Sequence, residues 1–131
     1  MPSNDVIEVL GEWEGYRVGF AKRHPPPRDG SPPVLWVELI RRDGPMICSG
    51  CGGRCDRYHD WEERWIRDLP ILDAQTQLLV QRFRVACPKC GPKLEHLPWL
   101  DKYSRVTKRL ADGVARWCRV LPVKHVAEFE R

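Results

Sequence analysis

The sequence predicts an α+β fold: a small antiparallel β domain over residues 1–100, followed by two C-terminal α-helices within residues 101–131. Three observations carry this expectation. Apolar residues alternate with period two in segments before residue 90. Two matched Cys-x2-Cys pairs, 35 residues apart, punctuate the same stretch. After Pro98 the apolar spacing changes to three and four, the period of an amphipathic helix.

The elements follow in order. Tyr16, Val18 and Phe20 alternate with Arg17 and Gly19, which predicts a strand near Tyr16–Ala21. His24–Pro33 holds five prolines in ten residues; proline cannot donate to a ladder, so this is a loop. Val34–Ile40 is β-prone and completes an N-terminal hairpin. Arg41–Pro45 is a turn leading to the first cysteine pair. Residues 54–70, dense in charge and aromatics, read as short strands, and Thr76–Cys87 reads as a strand running into the second pair. In Ser104–Arg119, Val106, Leu110, Val114 and Trp117 form one apolar helical stripe, with Ser104 as N-cap. Pro122 suits the first turn of a second helix, Val123–Arg131.

Composition narrows the function. The 131 residues are 31% charged and 42% hydrophobic, the make-up of a soluble globular domain. The longest apolar run is Val34–Val37, far short of the ~20 residues a membrane helix needs. The polar start Met1–Asp5 predicts no secretory leader. A cytoplasmic chain is the expectation, with its six cysteines reduced. The net charge is +4, but residues 81–125 alone hold 11 basic and 3 acidic side chains, which points to a polyanionic partner.

The sharpest signal is Cys48-x2-Cys51 with Cys87-x2-Cys90. Each pair can form a knuckle in which a tight turn brings backbone amides toward sulfur. Gly52 and Gly91 follow the second cysteines and permit φ > 0 there. Four thiolates satisfy one tetrahedral Zn2+ and leave no open position, so the metal is structural. The β domain is therefore expected to be zinc-ribbon-like, with the 35-residue insert folding as strands between the knuckles. Cys55, His59 and His96 stand near enough in sequence to compete as ligands; Cys55 reads as an extra thiol, in the core or beside the site. Cys118 reads as a core residue, and His24 and His125 as surface residues.

Four motifs occur in one order: Cys48-x2-Cys51-Gly52; Trp65-Ile66-Arg67-Asp68-Leu69-Pro70-Ile71; Arg82-Phe83-Arg84 before Cys87-Pro88-Lys89-Cys90-Gly91; and Tyr103-Ser104-Arg105-Val106-Thr107-Lys108-Arg109-Leu110. In this the chain resembles, over residues 8–131, the N-terminal region of bacterial insertion-sequence transposases of the ISL-three type. The resemblance implies a zinc-ribbon-like finger with Cys48, Cys51, Cys87 and Cys90 as ligands, then a helix-turn-helix. It also implies a catalytic domain with an acidic triad much later in such proteins. Residues 121–129 match the first helix of the helix-turn-helix; the turn, the recognition helix and the triad have no counterpart in these 131 residues.

The expected function is a zinc-stabilised DNA-binding module that recognises terminal inverted repeats, with double-stranded DNA as partner and no membrane or small-molecule substrate. Phosphate contacts are expected from Arg82, Arg84, Lys89, Lys93, Lys102, Arg105, Lys108, Arg109, Arg116 and Arg119. Lys108–Asp112 and Asp112–Arg116 are spaced for intrahelix pairs that compete with this role. Asp68 is expected to pin its loop by an ion pair. Trp13, Trp36, Trp61, Trp65 and Trp99 are expected to pack in the core or on the knuckles, with base stacking as the other role open to one of them. No enzyme activity is expected, because the acids are scattered and no two-metal cluster appears. The alternatives are a protein-interaction or dimerisation module, and binding of structured RNA.

Overall fold

In the computed structural model, residue 7 and residues 11–118 are described. Among them are seven strands and one helix: β1 (Tyr16–His24), β2 (Val34–Arg41), β3 (Met46–Ile47), β4 (Arg54–Cys55), β5 (Tyr58–Ile71), β6 (Ala74–Cys87), β7 (Gly91–Leu94) and α1 (Lys108–Cys118). Strands β1, β2, β6 and β5 lie side by side in that order, and β7 pairs with the end of β6. Strands β3 and β4 form a separate two-stranded ribbon.

The N-terminal hairpin forms as expected, with a register shift between Val18 and Ala21 and the proline loop at its tip. The 35-residue insert is one long hairpin, β5 and β6, turning at Leu72 and Asp73. Two corrections concern the fold class. First, β2 runs parallel to β6, from Val34 opposite Gln75 to Leu39 opposite Val80, so the sheet is mixed rather than antiparallel. Second, the described chain is mostly β with one short helix, not two C-terminal helices. The helix expected at Val123–Arg131 lies outside the described residues, as do Arg119 and His125.

Helix α1 also starts later than expected, at Lys108 rather than after Ser104. The intervening residues join the edge of β5 instead. Arg67 N–H donates to the Arg105 carbonyl, and Thr107 N–H donates to the Arg67 carbonyl. The N-cap is Thr107, whose Oγ1 accepts from Leu110 N–H at 3.4 Å. Ser104 instead bonds locally to Val106.

Strand β6 serves two cores on opposite faces. Ala74, Leu78 and Val80 face a main core with Leu35, Val37 and Leu39 of β2, Tyr16 and Val18 of β1, Ile66, Trp13 and Leu97. Phe83, Val85 and Cys87 face the other way, into a small core with Met46, Cys48 and Cys55. Successive strand side chains point to opposite faces, so the even-numbered residues of β6 build the first core and the odd-numbered ones the second. Trp13 is buried and Trp99 packs on the main core, as expected. Trp36, Trp61 and Trp65 are not buried, at 38%, 45% and 47% exposed; Trp61 stacks on Phe83 of the small core, centroids 5.8 Å apart, which is the knuckle packing expected of it, whereas Trp36 and Trp65 pack on neither core. They fall on the opposite alternation from Val37 and Ile66, which puts Trp36 and Trp65 on the outer face with ring centroids 5.3 Å apart. His24 is half-buried against Trp36, centroids 3.9 Å apart, rather than a free surface residue.

Candidate metal centre and nucleic-acid interface

The two knuckles sit at the ends of the small core. In the first, Gly52 N–H donates to the Cys48 carbonyl and Cys48 N–H to the Gly53 carbonyl, closing a tight turn. Gly50 N–H points at Cys48 Sγ, 3.3 Å away. The second knuckle closes the β6–β7 hairpin, where Cys87 pairs with Gly91. Gly52 and Gly91 have φ of 73° and 74°, the left-handed region that favours glycine.

This geometry brings Cys48, Cys51, Cys87 and Cys90 together, with all four sulfurs within 4.8 Å of one another. Cys51 and Cys87 Sγ are 3.6 Å apart, far beyond a disulfide bond of about 2.05 Å. Tetrahedral ligands 2.3 Å from zinc would be about 3.8 Å apart, so the donor set fits one such ion. The proton chemistry agrees. Amide hydrogen bonds from Cys90 and Lys89 favour the Cys87 thiolate and lower it to about 6. Hydrogen bonding to Cys51, then burial, raises the Cys90 thiol to about 12. Four thiols this close cannot all ionise alone; a dication removes that conflict.

Cys55 is not among the four. It is buried in the small core, its Sγ 3.9 Å from the Gly53 carbonyl, and burial raises its thiol. His59 and His96 are exposed and also stand outside the cluster. The knuckles are tied to the main sheet by Arg41 of β2. Its Nη2 lies 2.6 Å from Glu95 Oε2 in a nearly buried ion pair, and it donates further to the Pro45 and Arg42 carbonyls. Glu95 bridges backbone to Cys48.

A second hub holds the helix. Asp68 of β5 is buried and accepts from Trp13 Nε1 (2.8 Å), Thr107 Oγ1 (2.6 Å), Leu69 N–H (2.7 Å) and Arg109 Nε (2.7 Å) and Nη2 (2.5 Å). Burial opposes ionisation of Asp68, but the bonds from Arg109, Thr107, Leu69 and Trp13 together keep its carboxyl below the usual range. The ion-pair role expected for Asp68 is thus filled by a helix residue rather than by its neighbours Arg64 and Arg67. Sequence spacing gave no signal for this contact, because 41 positions separate the partners.

The basic residues divide. Arg82 is only 4% exposed, and its Nη1 donates to the Glu95 carbonyl at 2.8 Å. Arg109 is spent on Asp68 and lies over the Trp13 ring, 5.9 Å from its centroid. Arg84, on the same face as Arg82 but past the end of the main core, is exposed and ion-paired to Asp60. Lys89, Lys102, Arg105 and Arg116 are exposed; Lys93 and Lys108 are partly so, and Lys108 faces Asp101 at 3.5 Å. The pairs Lys108–Asp112 and Asp112–Arg116 do not form among the described residues. Arg64, Arg82, Arg84, Lys93 and Tyr103 line one cavity of about 480 Å³, and Lys102 Nζ sits 5.2 Å from the Tyr103 ring. Arg64 and Tyr103 were not singled out from the sequence as site residues; nothing in their spacing marks them.

Two family models match. Residues 44–90 match the zinc-finger of transposase IS204/IS1001/IS1096/IS1165, and residues 95–131 match the helix-turn-helix domain of transposase family ISL3. Neither matched region is a catalytic domain. The chain is 38% identical over 130 residues to the transposase for insertion sequence element IS1001 of Bordetella parapertussis, covering 98% of this chain and 31% of that protein. It therefore spans about a third of the length of that curated relative. No solved structure matches. No helix among the described residues is long and apolar enough to cross a membrane. With both models from one family in the order finger then helix-turn-helix, and an alignment at 38% identity running over 98% of the chain, the chain belongs to the ISL3 transposase family, as its zinc-ribbon and helix-turn-helix region.

Proposed function

We propose that this region recognises the terminal inverted repeats of its insertion sequence as double-stranded DNA, with one structural zinc per chain held by Cys48, Cys51, Cys87 and Cys90. The observation that carries the reading is convergence. Cations from the zinc end of the sheet, Arg84 and Lys93, line a cavity that the segment leading to α1 also lines, and Lys89, Lys102, Arg105 and Arg116 are exposed on these same elements. The zinc ion fixes the β6–β7 turn and so the positions of Lys89 and Lys93. The Asp68–Arg109 pair fixes α1, leaving Arg105, Lys108 and Arg116 to meet phosphates, with Arg119 following them in sequence. Arg82 and Arg109 act in this reading as supports, not as duplex contacts.

Titration of a labelled inverted-repeat duplex into the zinc-loaded chain tests this. Affinity should fall linearly in log–log form with salt, with a slope of about −4.5 to −6.3 for about five to seven phosphates. Equal affinity for a scrambled duplex would reject repeat recognition, and no binding at low salt would reject DNA binding. A second reading, self-association, is favoured by the outer sheet face, where Trp36 and Trp65 stand exposed beside both signs of charge, Lys22 and Arg67 with Glu38 and Glu63. A patch carrying both signs can pair with its own copy across a two-fold axis. A mass that rises with concentration in the absence of DNA would support it.

A further inference from the structure

We propose that the cavity between β5, β6, β7 and the Tyr103 segment holds an unpaired nucleotide of a DNA strand, its base against Tyr103 and its phosphate toward Arg82, Arg84 and Lys93. This goes beyond duplex recognition: it rests on the buried arginine and the exposed ring of that cavity, neither of which the duplex reading uses as a contact. The first is a buried cation without a counter-ion. Arg82 lines the cavity, is 4% exposed, and has no carboxylate at ion-pair distance among the described residues. Glu95, the acid whose charge bears on it, already has its carboxylate bonded to Arg41 at 2.6–3.0 Å, and the cavity's own acids, Asp60 and Glu62, are paired with Arg84 and Arg64. A guanidinium out of water without an anion is costly, and burial accordingly lowers the Arg82 pKa. A phosphate would supply the missing charge and suits the planar donor fork of arginine.

The second observation is the supply of further donors. Arg84 and Arg64 line the same cavity, but both are engaged by acids, Asp60 and Glu62, in exposed pairs. Exposed pairs contribute little to stability, so either arginine can exchange its carboxylate for a phosphate at small cost. Lys93 adds a cation with no acid partner at ion-pair distance among the described residues. The third observation is the ring at the rim. Tyr103 lines the cavity, is 69% exposed, and is held at φ 64° with Lys102 alongside. About 480 Å³ lies within the ~300–1,000 Å³ of organic-ligand sites and exceeds what a lone phosphate needs. An exposed ring beside a phosphate subsite matches how single-stranded nucleic acid is held, by stacking plus charge. A paired base has both faces stacked on its neighbours and offers neither to the ring.

The test uses the zinc-loaded chain and two fluorescein-labelled probes, hexathymidylate and a fully paired duplex, read by anisotropy in the same low-salt buffer. Tyr103→Asn removes the ring while tolerating positive φ; Tyr103→Phe keeps it. Hexathymidylate affinity should fall at least about fivefold in Tyr103→Asn, the low end for a lost base–aromatic stack, and stay within about twofold in Tyr103→Phe. Duplex affinity should stay within about twofold in both variants, with zinc content unchanged. No hexathymidylate binding to the parent chain, no change in Tyr103→Asn, or an equal loss on both probes would overturn the proposal. So would inorganic phosphate that competes equally well in the parent and in Tyr103→Asn while hexathymidylate is indifferent to the ring, since that marks a plain anion site. A chain that binds hexathymidylate but not duplex would sink terminal-repeat recognition and leave this cavity intact.

Discussion

Replacing Asp68 by Asn should destabilise the chain by about 3 kcal/mol. The side chain is buried, and its two oxygens accept five hydrogen bonds from Trp13, Thr107, Leu69 and Arg109. Asparagine keeps the shape but removes the charge and turns one acceptor into a donor. That donor then faces hydrogens of Trp13 or Arg109. Breaking a buried pair by neutralising one partner costs about 3–5 kcal/mol. The lower end applies because the Arg109 side chain is 34% exposed, so water partly replaces what it loses. Urea unfolding at pH 7 with zinc saturating reads the effect. With a slope of about 1–3 kcal/mol per molar, the midpoint should drop by at least about 1 M. A double-mutant cycle with Arg109→Met should return a coupling above about 1 kcal/mol. The pH dependence gives a second reading. The folded carboxyl lies below its ordinary value near 3.9, so the pair's contribution is present above about pH 4 and is lost as pH falls through the folded value. The parent and Asp68→Asn stability curves should therefore converge in acid. A loss below about 1 kcal/mol at neutral pH, or curves that stay parallel down to pH 3, would refute the view of Asp68 as the hub that holds α1.

Other expectations follow from the same geometry. Cys87→Ser should abolish stoichiometric zinc by elemental analysis, and Cys55→Ser should retain one zinc per chain; metal kept in the first or lost in the second would redefine the ligand set. Gly52→Ala and Gly91→Ala should each weaken zinc retention against a chelator, because φ near +74° costs an L-residue about 1–2 kcal/mol although nothing within 4 Å obstructs the new Cβ. Trp13→Phe should cost about 1–3 kcal/mol in urea unfolding by leaving Asp68 short of a donor, whereas Trp36→Phe, half-exposed on the outer face, should cost under about 1 kcal/mol.

The legible parts of this chain are those set by local chemistry. The knuckles announce themselves because one metal needs four donors and each turn needs a glycine at φ > 0, so Cys48, Cys51, Gly52, Cys87, Cys90 and Gly91 read directly. The strands β1, β2 and most of β6 read from alternation. The parallel pairing of β2 with β6 did not, because alternation fixes which face a residue takes and not which neighbour the strand takes. The late start of α1 is hidden for a related reason: Ser104 and Thr107 are both capable caps, and the segment before Thr107 is held at the sheet edge by Arg67, 40 positions away, whose carbonyl accepts from Thr107 N–H and whose N–H donates to the Arg105 carbonyl. The basic list of the helix and strand does not separate Arg82 and Arg109 from the exposed cations, since a charge count carries no information on which guanidinium a fold turns inward.

That inward turn ties the metal end of the molecule to the main sheet. Strand β6 gives its odd residues 83, 85 and 87 to the core behind the sulfurs and its even residues 74, 78 and 80 to the main core. Arg82 sits at the crossover, and through the Glu95 carbonyl it touches the residue whose carboxylate Arg41 holds and whose backbone bridges Cys48. Tyr16 adds its hydroxyl to the Gln81 carbonyl one position before. Loss of zinc would release the Cys87–Gly91 turn and, with it, β7, the strand that delivers Leu94 and Glu95 to this junction. The buried Arg41–Glu95 pair would then be exposed to water, where such a pair contributes little. Chelation should thus disturb the main sheet as well as the knuckles: hydrogen exchange at Val80 and Gln81, inside the β6 ladder and six to seven residues before Cys87, should accelerate together with the amides of Gly91, Lys93, Leu94 and Glu95. Protection persisting at Val80 and Gln81 while the knuckle amides exchange freely would show two independently stable cores, and the coupling argued from Arg82 would fall.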